Sequence, residues 1–352
     1  MESRERVYRT LRFERPDRAP RDLWIIPAVE TTRLAELEAV RERFPLDFAF
    51  PNGFRAWNMG HEVEWPDPNL LFRYGPSKRA KGIPWEGTYT DAWGCEFVTG
   101  EPGVVGEVKN PPLAQWSALE GYTAPWEILR GARWDAVNRF CAATTKFVLS
   151  PPAFSIFERM QFLRGTEALF CDLGYGTEEV LRLRDLIHEF NLAAVDLWCQ
   201  TDIDGIGWTD DWGSQTALLV SLDMWREIFK PLYREYCARI HAAGKFAFMH
   251  SDGHIAALIP ELIDIGVDAL NSQLFCMDIE ELGRRFKGRI TFWGEIDRQH
   301  LLPFGKPEDV RQAVRRVRRA LDDGAGGVVA QLQFGKYDPK ENIEAAFEAW
   351  ME

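Results

Sequence analysis

Short apolar runs rich in β-branched and aromatic residues alternate along the chain with longer segments whose apolar positions recur at helical spacing. The runs predict strands at Asp22–Ile26, Phe48–Pro51, Lys146–Ser150, Gly205–Thr209, Phe246–His250, Ala269–Ser272, Ile290–Trp293 and Val328–Leu332. Between and after them the spacing predicts helices over Thr32–Phe44, Trp134–Ala143, Thr177–Gln200, Leu222–Ala243, Ile255–Ile265, Ile279–Phe286, Pro307–Asp322 and Lys340–Trp350. Pro307 suits a first helical turn, and Gly244, Gly266 and Gly324 stand where helices stop. Strands separated by helices need crossover connections, so they run parallel. Eight of them favour a closed (β/α)8 TIM barrel over an open sheet.

The stretch from Gly53 to Trp126 breaks the alternation. It is rich in Trp, Pro and Gly, and Thr88–Val98 and Val104–Lys109 predict an antiparallel, β-rich excursion. We read residues 1–352 as a single barrel domain with an insertion at about 53–126, following the second strand. Trp57, Trp65, Trp85 and Trp93 are expected to form a small core of its own, with a substrate lid as the functional alternative.

Composition narrows the function classes. The 352 residues are 46% hydrophobic and 27% charged, ordinary for a globular protein. Forty-two basic against 54 acidic side chains leave a net charge of −12, which argues against nucleic acid or an anionic membrane as partner. No run approaches the ~20 apolar residues that cross a bilayer. The first fifteen residues are thick with Arg and Glu, unlike a signal peptide, so the expected location is the cytoplasm. The six cysteines show no CxxC pair and are expected to be free, buried thiols.

In a barrel of this kind, chemistry sits at the C-terminal ends of the strands. Strand four ends in Trp208-Thr209-Asp210-Asp211-Trp212, and strand five in His250-Ser251-Asp252-Gly253-His254. Strand six supplies Asn271-Ser272-Gln273, strand seven Trp293-Gly294-Glu295-Ile296-Asp297, and strand eight Gln331-Leu332-Gln333. Five consecutive polar strand ends are hard to explain by packing. His250 and Asp252, two apart at a strand end, project from one face and suit a shared metal ion. Without a metal, Asp252 would orient His250 as a general base; the bland alternative is a pair that stabilises the strand end. Glu295 reads as a third ligand or a proton donor, against a simple salt bridge. Of the acidic pair, Asp210 is expected to point inward and Asp211 to cap the following helix. His254 is read as opening the next helix, and His188 and His241 as surface residues. No P-loop, GxGxxG, GxSxG or HExxH is present, which disfavours ATP-dependent, nicotinamide and serine-hydrolase chemistry.

At these strand ends the sequence resembles the uroporphyrinogen decarboxylase-like superfamily. The resemblance begins at Arg4-Glu5-Arg6-Val7 and Leu11-Arg12-Phe13-Glu14-Arg15-Pro16-Asp17-Arg18-Ala19-Pro20. It continues through Phe157-Glu158-Arg159-Met160-Gln161-Phe162-Leu163-Arg164-Gly165 and Asp210-Asp211-Trp212-Gly213-Ser214-Gln215. His250-Ser251-Asp252-Gly253, Ile259-Pro260-Glu261-Leu262-Ile263 and Thr291-Phe292-Trp293-Gly294-Glu295-Ile296-Asp297 complete it.

The superfamily's fold is a (β/α)8 barrel, and it includes true decarboxylases and zinc methyltransferases that work with corrinoid proteins. The decarboxylases' arginine-rich motif after strand one is absent from Leu23-Trp24-Ile25-Ile26-Pro27-Ala28. Their aspartate after strand two falls at Pro51-Asn52-Gly53, and their late histidine at Phe334. The methyltransferase branch's His-x-Cys corresponds to His250-x-Asp252, and its later cysteine falls among Gln331 to Gln333. The resemblance implies metal-assisted demethylation of a small methylated substrate toward a corrinoid protein. In this reading His250, Asp252 and Glu295 hold a divalent metal, most simply zinc. Asp210, Asn271, Gln331 and Gln333 orient substrate, and Trp208, Trp212 and Trp293 form apolar walls. Two alternatives are a metal-free lyase acting on a small carboxylated substrate through Asp210, His250 or Glu295, and a non-catalytic binding barrel.

Overall fold

The computed structural model describes residues 1–51, 60–61 and 72–352. Asn52, Gly53, Trp57 and Trp65, singled out in the sequence, lie outside them. The strands in chain order are β1 (Arg21–Ile25), β2 (Phe48–Ala49), β3 (Thr88–Thr90), β4 (Glu96–Val98), β5 (Glu107–Asn110), β6 (Phe147–Val148), β7 (Gly205–Thr209), β8 (Phe246–Ser251), β9 (Ala269–Ser272), β10 (Thr291–Trp293) and β11 (Val328–Phe334).

Six of these form a parallel sheet in the order β1-β11-β10-β9-β8-β7, and β2 pairs in parallel with β6. Two contacts join the pieces: the Asp47 amide donates to the Arg21 carbonyl, and a parallel bridge links Leu149 with Gly205. The strands therefore follow one another in TIM-barrel order. β2 and β6 are shorter than the apolar runs predict, because Pro51, Pro151 and Pro152 carry no N–H for a ladder. Every residue of β7, β9 and β10 is buried, as expected of strands covered on both faces.

Phe48, Phe147, Phe248 and Trp293 fill the interior of the curled sheet with edge-on and stacked rings 5.1–6.2 Å apart. A helix at Ser3–Leu11, unassigned in the sequence, packs Val7 and Leu11 into the same cluster. Asp47, just before β2, holds it in place: the carboxylate accepts from Ser3, Arg6, Arg18 and the Arg21 amide. The N-terminal motif of the sequence resemblance is thus a structural clasp. The outer helices pack around the sheet, and the expected helix Leu222–Ala243 is broken into Leu222–Ile228 and Lys230–Ala242 at Pro231.

Between β2 and β6, strands β3, β4 and β5 form a small antiparallel sheet. A separate tryptophan core is not what the described residues show. Trp93 packs on Phe190 at 4.9 Å within the main core, and Trp85 lines the central cavity. All six cysteines are free, but Cys171 is exposed and Cys199 and Cys276 half-buried, so burial holds only for Cys95, Cys141 and Cys237. His188 is partly buried against Tyr236 rather than free on the surface. Among the described residues no helix is long and apolar enough to cross a membrane.

Candidate functional site

A cavity of about 380 Å³ opens at the C-terminal ends of the strands. His250 lines it from the end of β8. Its Nδ1 lies 2.6 Å from Asn271 Oδ1. The amide of Asn271 cannot turn over, because Nδ2 donates to the Trp293 carbonyl and to Gln331 Oε1 at 3.0 Å. Asn271 Oδ1 therefore accepts from Nδ1–H and leaves Nε2 facing the cavity, the nitrogen that would offer its lone pair to a metal. There it meets Asp252 Oδ1 at 3.4 Å and Asp211 Oδ1 at 3.5 Å.

The two acids come together because two loops touch at glycines. A Cβ on Gly253 (φ +81°) would sit 2.2 Å from the Gly213 carbonyl oxygen, and one on Gly213 would sit 2.5 Å from the His254 amide. Only glycine tolerates this approach. The contact is sealed by hydrogen bonds from the Gly213 amide to the Asp252 carbonyl and from the His254 amide to the Ser214 carbonyl. The Asp252 amide also donates to Asp211 Oδ1 at 2.8 Å. One ligand atom each from Asp211, His250 and Asp252 falls within 4.8 Å of the others.

This set fits a divalent cation. Asp252 Oδ1 is buried and without a hydrogen-bond partner, and burial raises the Asp211 carboxyl above its ordinary range. One imidazole and two carboxylates make a donor set harder than a thiolate pair. Asn271 behind the imidazole supplies the partner that metal-bound histidines characteristically have.

Other sequence candidates divide. Trp208, Trp293 and Gln333 line the cavity. Asn271 and Gln331 are buried behind it. Glu295 lies outside the trio, in a smaller adjoining cavity, where burial pushes its carboxyl up to about 8 and Oε2 has no partner. The geometry groups Asp211, rather than Glu295, with His250 and Asp252.

The acidic pair is also arranged opposite to expectation. Asp210 accepts from the amides of Ile156 and Glu158, both at 2.9 Å, and from the Tyr233 hydroxyl at 2.6 Å, so it anchors the start of helix Phe157–Arg164. Trp212 stacks on Phe157 at 4.2 Å in the core and is no cavity wall.

Three cavity residues escaped the sequence reading. Glu158 follows strand three, whose end was left out of the list of polar strand ends; burial first, then Asp211 and Asp210, push its carboxyl well above the ordinary range. Arg298 donates to Asp252 Oδ2 and to Gln333 Oε1, with Nε 3.5 Å from Glu295. Trp24 lies between His250 and Trp293, with ring centroids 5.2 and 5.1 Å away. Asp22, on the same face of β1, accepts from both the Trp24 and Trp293 indoles, and burial raises it to about 6.

A family model described as uroporphyrinogen decarboxylase (URO-D) matches residues 88–352, which includes β3 to β11 and the whole polar rim. The chain belongs to the uroporphyrinogen decarboxylase family. Among solved structures, a methyltransferase from Methanosarcina mazei aligns over 100% of this chain and 98% of its own, at 14% identity and a TM-score of 0.70. At that identity the likeness is one of fold, and it agrees with a TIM-barrel-like α/β architecture. A glycosylated endo-beta-1,4-xylanase from Gloeophyllum trabeum aligns over 97% of this chain and 99% of its own, at 11% identity and a TM-score of 0.46. No curated protein matches the chain in sequence. At family level this membership points to an enzyme of the uroporphyrinogen decarboxylase type.

Proposed function

We propose that this chain is a single-domain, metal-assisted methyltransferase that takes a methyl group from a small substrate and passes it to a corrinoid protein or a similar acceptor. The observation that carries the reading is the Asp211–His250–Asp252 cluster on the cavity wall, its imidazole aimed by Asn271. The fold likeness to a methyltransferase supports it. These three residues would hold a divalent ion, zinc by preference. Bound there, the ion would act as a Lewis acid on a heteroatom of the substrate.

The remaining chemistry belongs to the side chains. Arg298 neutralises Asp252 from one side and fixes its carboxylate plane. Trp24, Trp208 and Trp293 keep water off the reacting groups. Glu158, whose carboxyl is pushed well above the ordinary range by burial and then by Asp211 and Asp210, is placed to give a proton to a departing oxygen or sulfur. The test is methylation of cob(I)alamin, followed by its absorbance change, with metal content measured in parallel. Transfer that disappears with the metal in Asp252→Ala supports the reading; no transfer from any of a broad panel of methylated substrates sinks it.

One observation favours a second reading, decarboxylation of a small carboxylated substrate. Glu158 is a cavity acid whose carboxyl burial pushes well above the ordinary range, and Arg298 is a cation able to face a carboxylate. Release of carbon dioxide by metal-free enzyme would establish it. Uroporphyrinogen, with eight carboxylates, is a poor fit, because Arg298 is the one Lys or Arg among the described lining residues.

A further inference from the structure

Strand β7 carries two glycines, Gly205 and Gly207, and packing accounts for only one of them. Side chains two apart in a strand share a face, so Gly205, Gly207 and Thr209 project together. A Cβ on Gly205 would stand 3.1 Å from Leu149 and Phe248 and 3.2 Å from Phe147. The aromatic interior of the barrel leaves that position no room for a side chain. A Cβ on Gly207 would meet nothing closer than the Ser150 carbonyl oxygen at 3.7 Å and Leu149 at 3.8 Å. Its φ lies outside the left-handed region. Its amide donates to Ser150 Oγ at 2.9 Å and its carbonyl accepts from the Ala153 amide at 2.8 Å, bonds open to any residue but proline. Neither packing nor backbone asks for glycine at 207, and glycine inside a strand weakens it.

What the missing side chain leaves is space on the cavity wall. Gly207 lines the cavity of about 380 Å³ together with Leu149 and Ser150. In register it stands beside Phe248, and Thr209 and His250 pair two residues further on. His250 is therefore roughly 7 Å farther along the strand direction, at about 3.3 Å per residue. The cavity thus has a notch beneath the imidazole, between the aromatic interior and the polar rim. Two carbons of Leu149 and one backbone carbonyl oxygen are the atoms nearest to it.

We infer that Gly207 is a specificity-determining residue, whose notch receives a slender, uncharged apolar arm of the substrate. The inference rests on the methyl-transfer reading, which puts the reacting heteroatom above the notch, at Asp211, His250 and Asp252, and it narrows the substrate class. A charged or strongly hydrogen-bonding end would be stranded there, because the nearest atoms offer one acceptor and no donor. An apolar end gains from the same burial, about four-fold in affinity for each methylene removed from water. The class is then a methylated heteroatom that carries a short, unbranched hydrocarbon arm. A side chain at 207 would take the place of that arm.

The test is the binding of a homologous series, ethyl methyl ether to hexyl methyl ether, to the purified full chain. Calorimetry reads the affinity, as does the fluorescence of Trp24 and Trp293, which line the cavity. In the parent, affinity should climb about four-fold per methylene until the notch is full and then level off. Gly207→Ala should level off about one methylene earlier, and Gly207→Val about two earlier, binding the longer ethers roughly ten-fold more weakly. Gly207→Ala should melt at or above the parent temperature, whereas Gly205→Ala should melt well below it. Identical length profiles in parent and Gly207→Ala, or no binding of any ether, overturn the inference. So does a fall in melting temperature for Gly207→Ala as large as that for Gly205→Ala, which would make glycine a packing requirement. Shifted length profiles without transfer to cob(I)alamin from any methylated compound would uphold the notch and overturn the methyltransferase reading. Transfer with an unshifted profile would do the reverse.

Discussion

Asn271 Oδ1 lies 2.6 Å from His250 Nδ1, and this bond decides which nitrogen of the imidazole faces the cavity. Asn271 is itself held by the Trp293 carbonyl and Gln331, so three strands cooperate in aiming one lone pair. Removing it tests whether that aim matters. In Asn271→Ala the ring loses its partner, and zinc affinity, read by competition with a chromophoric chelator, should fall about 10- to 100-fold. The buried carbonyl of Trp293 loses a donor as well, so stability in urea should drop by about 1–3 kcal/mol. Unchanged zinc affinity would remove Asn271 from the positioning role.

Asp211 and Glu295 compete for the third ligand position, and the structure favours Asp211. Asp211→Asn should lower zinc affinity at least ten-fold, whereas Glu295→Gln should leave it within about three-fold of the parent. The reverse order, measured by metal content after dialysis against dilute chelator, would put Glu295 in the ligand set.

Gly253 makes the meeting of the two acids possible. Gly253→Ala puts a methyl group where the Gly213 carbonyl stands and strains a positive φ. The loops must part, so the variant should lose metal binding while the far side of the molecule keeps its circular dichroism. The strain should also cost about 1–3 kcal/mol in denaturant stability. Metal binding at parent strength would show that the loops open without disturbing Asp211 and Asp252.

Asp210 is an anchor. Its carboxylate satisfies two backbone amides and a hydroxyl in the interior. Asp210→Ala leaves all three unpartnered, at about 1–3 kcal/mol each before relaxation, so the main effect should be a large fall in melting temperature. A variant that folds normally and loses only turnover would return Asp210 to the catalytic group.

Asp22 sets a pH dependence of stability. Burial raises its folded pKa from 3.8 to about 6, so the folded chain keeps a proton that the unfolded chain gives up. Its contribution to stability is full below about pH 4 and is lost as pH rises toward 6. Two pKa units correspond to about 3 kcal/mol. Asp22→Asn, which cannot ionise, should flatten the urea stability profile across that window. An unchanged slope would show that Asp22 is ionised in the folded chain.

Much of this was legible in the sequence. Strands such as Gly205–Thr209 and Ala269–Ser272 are short runs bounded by turn residues, and their limits match the structure, where both are buried throughout. His250 and Asp252 were found because a two-residue spacing at a strand end places side chains together. Asp211 was missed because adjacent acids point opposite ways, and only the loop contact at Gly213 and Gly253 says which one faces inward. Glu158 and Arg298 sit beyond short strand ends, on a helix and a loop, where no periodicity marks direction. Asp22 was hidden by its own strand: a carboxylate in an apolar run reads as an edge residue until the two indoles that bind it are in view.

The pairing of β1 with β11 joins Arg21 to Ala330 and continues to Ile25 and Phe334. Those partners lie far apart in the chain. Until β11 is made, β1 has no strand on that side, and its free N–H and C=O groups present an open edge to other chains. The sheet acquires its last neighbour only when β11 emerges, so a chain stopped short of it is left as a sheet with two sticky margins. Products truncated before β11 should therefore be found with chaperones or in aggregates.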